Sequence, residues 1–193
     1  MSSWQDLRLT DRIEPGVQVL FVGINPGVKS AETGHHFAGP SNRFWKLLWE
    51  SRLVPEPLTY REDGRLPEFG LGITNLVARP SPGIDTLKPF EYVAGWTELE
   101  RKIEGFRPQV VALVGVTLWR AILPLLATQG RARTKPVTSR CPGLQRASIH
   151  GARVFVLPNP SGRNANFSYA EMLAAFRSLA RYKRKMDSTT AGG

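Results

Sequence analysis

Four short apolar runs rich in β-branched residues constrain this chain most: residues 17–22 (VQVLFV, closed by Gly23), 72–77 (GITNLV), 110–114 (VVALV, closed by Gly115) and 154–157 (VFVL, closed by Pro158). Runs of this length and composition suit strands buried on both faces, hence a mostly parallel sheet of four strands. Helical patterns fall between and after them, over 42–51, 91–105, 117–127 and 169–183, the first three followed by Gly or Pro. Strands alternating with helices predict an α/β fold in three layers, with helices on both faces of a central sheet. At 193 residues the chain suits one core. A single domain is expected over 1–185, with 186–193 as a flexible tail and the Arg-, Lys-, Thr- and Pro-rich stretch 130–143 as an exposed connection.

Ligands of open parallel sheets bind outside the carboxyl ends of the strands. Three polar stretches stand there: Asn25-Pro26-Gly27, Thr74-Asn75 and Asn159-Pro160-Ser161-Gly162. Asn25 presents a neutral amide that can orient a water, in a turn stiffened by Pro26 and opened by Gly23 and Gly27. The plain alternative for GINPG is an ordinary strand-to-helix turn, where the same residues are common. Neither GxGxxG nor GxxxxGK[ST] occurs, so a nucleotide cofactor is not expected. The second loop, LPNPSGRNANF, carries Arg163 at its centre; it can enter a groove, cap the next helix through Asn166 or Ser168, or do both.

The charge narrows the partner. Twenty-six Lys and Arg against sixteen Asp and Glu leave +10, a positive field that suits a polyanion, with simple solubility as the rival explanation. The basic residues are spread out apart from Arg181, Lys183, Arg184 and Lys185, and no apolar run approaches the roughly 18 residues of a membrane span. Nucleic acid is therefore favoured over membrane. One cysteine, Cys141, rules out an internal disulfide or a thiolate cluster from this chain alone, and His35, His36 and His150 lack metal-ligand spacing, so no metal is expected. Residues 1–16 contain no secretory apolar core, so the cytoplasm is expected, nucleoid-associated in a bacterium.

Together GINPG, GHHFAGPSNRFWK, GITNLVARPSPG, VVALVG and VLPNPSG, in this order between about 17 and 177, resemble the mismatch-specific uracil and thymine DNA glycosylases of bacteria and animals. The resemblance implies a four-stranded, mostly parallel uracil-DNA glycosylase fold and excision of a flipped uracil, with thymine or modified cytosine as further substrates, from a mispair with guanine. It gives Asn25 the task of positioning the attacking water and Phe37 that of stacking on the base. Ile24 and Phe37 would read the pyrimidine edge through backbone groups, and Asn75 would also contact the base. The loop Asn159, Pro160, Ser161, Gly162, Arg163 and Asn164 would enter the duplex. The bacterial enzymes carry leucine after that glycine where this chain has Arg163, which puts strict recognition of the opposite guanine in doubt.

The implied partner is double-stranded DNA with a G·U or G·T mispair, bound by a monomer without a cofactor. An amide is a poor proton acceptor, so much of the rate must come from a leaving base that departs as an anion, and uracil should leave more readily than thymine. Asp85, in ARPSPGIDTL, is a candidate for the base that Asn25 is not, against the alternative of a surface aspartate starting a helix. His35 and His36 are weaker candidates for acid chemistry, while Asn42 reads as a cap and Phe44 and Trp45 as core. The rivals are a broader uracil-DNA glycosylase that also acts on A·U pairs and single strands, and a DNA-lesion binder without turnover.

Overall fold

The computed structural model describes residues 4–128 and 142–190; most of the basic connection, including Cys141, lies outside them. The four apolar runs form β1 (Val19–Gly23), β2 (Leu71–Asn75), β3 (Val110–Val114) and β5 (Ala152–Leu157), which lie parallel. A fifth strand, β4 (Gly143–Ile149), pairs antiparallel with β5, giving the order β2-β1-β3-β5-β4. The sheet thus has one strand more than the four expected. β4 is a half-exposed edge in which Ala147 and Ile149 are buried while Leu144, Arg146 and Ser148 are exposed, so it carries no continuous apolar run to announce it.

Side chains alternate across the buried strands. Val19, Phe21, Val110, Ala112, Phe155 and Leu157 pack on one face against α2 (Phe44–Glu50) and α5 (Tyr169–Thr190). Leu20, Val22, Val111, Leu113, Val154 and Val156 pack on the other against α3 (Pro89–Phe106) and α4 (Val116–Thr128). A period of two inside an all-apolar run therefore yields two cores rather than one. The result is the three-layer α/β architecture expected from the pattern. A short α1 (Val28–Thr33) follows β1, and a kinked 3-10 segment, Tyr60–Phe69, precedes β2.

Helix ends obey local chemistry. Asn42 Oδ1 accepts the Phe44 N–H at the start of α2, and the Ser168 hydroxyl accepts the Glu171 N–H while Glu171 accepts the Ser168 N–H, a reciprocal cap for α5. The last helix runs on to Thr190, so 186–190 do not form the separate tail expected of them. Met186 packs on the core, and Asp187 accepts from Gln18 Nε2 at 2.6 Å and pairs with Lys183, contacts that composition does not reveal. No helix among the described residues is long and apolar enough to cross a membrane.

Candidate active site

The three polar loops converge where the parallel strands end. They line a cavity of about 220 Å³ with Gly23, Ile24, Asn25, Phe37, Asn75, Asn159 and Ser161 on its wall, together with Ser81 to Ile84 and Lys29 of α1. A larger cleft, about 610 Å³, lies beside Trp49, Arg52 and Arg177 and contains none of the strand-end residues. We place the site at the smaller cavity, because neutral amides, an aromatic face and open backbone meet there at the carboxyl edge of the sheet.

Asn25 follows β1 by two residues, and its amide cannot rotate freely. Nδ2 donates to the carbonyls of Pro26 and Arg79, each at 3.1 Å, and to Ser81 Oγ at 2.7 Å. With the nitrogen so engaged, Oδ1 is the atom left to accept a hydrogen bond from a water in the cavity. Ser81 is itself buried, donates its hydroxyl proton to the Gly83 carbonyl and gives its N–H to the Pro26 carbonyl. Arg79 ties the same loop to α3 through a two-pronged pair with Glu91, whose carboxyl the guanidinium holds down to about 2. Ser81 and Arg79 were invisible as site residues in the sequence. The signal, a serine between two prolines after β2, is also what any tight loop shows.

Phe37 adopts φ 52°, in the left-handed region that costs a non-glycine residue roughly 1–3 kcal/mol. Its neighbours hold it there. His36 N–H donates to Asp63 Oδ2 at 3.0 Å, the His36 carbonyl accepts from Trp45 Nε1 at 3.2 Å, and Ala38 N–H donates to Ser30 Oγ at 3.1 Å. One face of the Phe37 ring stacks on Phe44, with centroids 4.3 Å apart and planes 26° from parallel. Phe37 both packs on the core and lines the cavity. The Ile24 carbonyl is taken by Val77 N–H at 2.8 Å.

Asp63, on the 3-10 segment, was also missed. It is 1% exposed and takes Arg12 Nε at 3.1 Å and His35 Nδ1 at 3.0 Å on one oxygen, besides His36 N–H on the other. It joins the N-terminal segment to the loop that carries Phe37. Sequence shows it only as one acid in YREDGR, indistinguishable from a surface charge.

Asn75 ends β2. Its Nδ2 faces His36 Nδ1 at 3.4 Å, while its Oδ1 lies over Gly23 so closely that a Cβ there would sit 2.5 Å from it and 3.5 Å from the Phe37 ring. Gly23→Ala should therefore push the Asn75 carboxamide aside. The melting temperature is expected to move little, which thermal unfolding can check.

The second loop is tightly built. Pro160 is buried and its carbonyl accepts Arg43 N–H at 2.9 Å; Asn164 Nδ2 donates to the Asn159 carbonyl at 2.8 Å; Asn159 Oδ1 accepts Ser161 N–H at 3.0 Å. Gly162 lies on Ser41, where a Cβ would meet the Ser41 backbone oxygen at 2.8 Å. Asn159 and Ser161 line the cavity, while Arg163 is exposed with no side-chain partner among the described residues. Pro160, Gly162, Arg163 and Asn164 of the second loop do not line the cavity, and neither does Asp85, which is exposed on the short turn Ile84–Thr86. His35 is tied to Asp63, and the buried His36 lines the cavity beside Asn75; neither reaches Asn25 through a hydrogen bond.

A family model described as the uracil DNA glycosylase superfamily matches residues 10–180. In fold the chain is similar to a solution NMR structure of a protein from Methanosarcina acetivorans, assigned as a candidate uracil DNA glycosylase. The TM-score is 0.55 at 17% identity, with 90% of this chain and 98% of that chain covered.

Proposed function

Because the chain belongs to the uracil DNA glycosylase superfamily, we propose that it excises uracil, and more slowly thymine, from mispairs with guanine in double-stranded DNA, as a monomer and by hydrolysis alone. The observation that carries the reading is the Asn25 amide. Its nitrogen is committed to three protein acceptors, and its oxygen is left for a water in the cavity that Phe37 and Asn75 also line. A base extruded from the duplex would lie on the free face of Phe37, against the Ile24 N–H and the Asn75 amide. The water held by Asn25 would then stand on the sugar side. Extrusion costs a few kcal/mol and least for a mispair, which favours G·U and G·T over A·U.

The loop Asn159–Asn164 would fill the space that the base leaves, with Arg163 as its protruding element. A guanidinium can stack in the gap, meet a phosphate or donate to guanine, so wedge and reader are merged in one side chain. The +10 charge supplies the attraction to phosphate that such binding needs. Asp85 is not part of the proposed chemistry, because it lies outside the cavity wall.

The test is single-turnover base release from matched duplexes carrying G·U, A·U and G·T and from a single strand carrying U. The proposal expects G·U fastest, G·T slower and A·U and the single strand slowest. Equal rates in every uracil context would replace it with a broader uracil-DNA glycosylase. Tight binding to lesion DNA with no release would replace it with a lesion binder.

A further inference from the structure

The larger cleft, about 610 Å³, takes no part in the proposed chemistry. It lies between the end of α2 and the middle of α5, and none of its lining residues lines the cavity that holds Asn25. Leu53 and Val54, both buried, give it an apolar floor. The Trp49 ring, 44% exposed, and the exposed Arg52 and Arg177 form its rim. The one acid in its lining is already satisfied, because Glu50 pairs with Lys46 at 3.6 Å and accepts the Tyr169 hydroxyl at 2.8 Å. Neither guanidinium makes an ion pair or a hydrogen bond among the described residues.

Arg52 is also an outlier of the backbone. Helix α2 ends in a two-bond cap, with Leu53 N–H on the Leu48 carbonyl at 3.0 Å and Arg52 N–H on the Trp49 carbonyl at 2.8 Å. Leu48 and Leu53, the apolar pair that accompanies such a cap, are buried in one core. The position ahead of Leu53 must then be left-handed, where glycine is the favoured occupant; here Arg52 stands there at φ 64°. The chain forgoes the stability of a glycine to hold a guanidinium that no described side chain engages. Strain kept without an internal contact to offset it directs attention to a ligand.

We infer that this cleft is a docking site for an acidic, extended segment of a partner protein, with its carboxylates on Arg52 and Arg177 and one apolar side chain on Leu53 and Val54 beside Trp49. Guanidinium groups suit carboxylates by shape as well as charge, and Trp and Arg are the residues that dominate protein interfaces. Single-stranded nucleic acid fits less well. It stacks successive bases on several aromatic faces, and Trp49 is the one aromatic residue in this lining above an aliphatic floor. A second copy of the chain carries the same +10 charge and is repelled.

The test is fluorescence polarisation of the intact protein with a fluorescein-labelled peptide in which a leucine is flanked on both sides by glutamates. Arg52→Gly and Arg177→Gln should each weaken binding about tenfold. Arg101→Gln, which removes the same charge from an exposed site on α3 across the sheet, should stay within about twofold. Serine in place of the peptide's leucine should also cost about tenfold. Arg52→Gly should meanwhile raise the melting temperature by about 2–4 °C, so that lost binding cannot be lost folding. No binding by the wild type, or equal losses in Arg52→Gly and Arg101→Gln, would overturn the inference, as would a melting temperature that falls in Arg52→Gly. A labelled oligothymidylate that Arg52→Gly and Arg177→Gln weaken more than the peptide would assign the cleft to nucleic acid instead.

Discussion

Replacing Asn25 with alanine is expected to slow single-turnover release of uracil from a G·U duplex by about a hundredfold or more, with little change in stability or in affinity for an abasic-site duplex. The expectation follows from how the amide is held. Three acceptors, Pro26, Arg79 and Ser81, fix Nδ2, so the cost of orienting Oδ1 is met during folding and not at each turnover. Alanine removes the oxygen and leaves the cavity otherwise intact, so a water can still enter but is no longer aimed. Asp85→Asn serves as the counterpart. Its side chain is exposed and outside the cavity wall, and release should stay within about threefold of wild type. A variant pair with the opposite pattern, active without Asn25 and inactive without Asp85, would move the chemistry to the carboxylate and sink the proposal.

The largest stability effect is expected at Asp63. Asp63→Ala should cost about 3 kcal/mol, since removing one member of a buried charged cluster strands its partners. The value is set at the low end because Arg12 is 26% exposed and regains water once released. His36 N–H, in contrast, is left buried without an acceptor. For a chain of this size the melting temperature should drop by roughly 6–12 °C. Asp63→Asn keeps an acceptor for His36 N–H and should lose about half as much. The effect should extend to function, because the same carboxylate holds the loop in which Phe37 keeps φ 52°. Base release measured well below the melting temperature should therefore also slow. Asp63→Ala with unchanged melting would show that the carboxylate is solvated in solution and not part of the scaffold.

What the sequence reveals of this molecule divides by physical cause. β1, β3 and β5 were legible because a strand covered on both faces must be apolar throughout, and the loops after β1, β2 and β5 were legible as sites because parallel sheets bind ligands at that edge. β4 was not, because an edge strand with one wet face mixes polar residues, here Gln145, Arg146 and Ser148, into what would otherwise be an apolar run. Asn25, Phe37 and Asn75 stood out through the motifs around them. Ser81, Arg79 and Asp63 did not, because their importance lies in partners brought together only by the fold: Asp63 meets residues from 12 to 36, and Ser81 meets Asn25.

The N-terminal segment that brings Arg12 to Asp63 also covers one edge of the sheet. In the order β2-β1-β3-β5-β4, β2 is the last strand on its side, and its outer rim would present open peptide groups to any other chain. Arg12 occupies the middle of that rim by bonding both peptide groups of Ile73, and its side chain is pulled back toward Asp63. A chain trimmed past Arg12 would leave this rim of β2 open to pairing with another chain, and size-exclusion chromatography of the trimmed chain is expected to show more self-association than the full chain does.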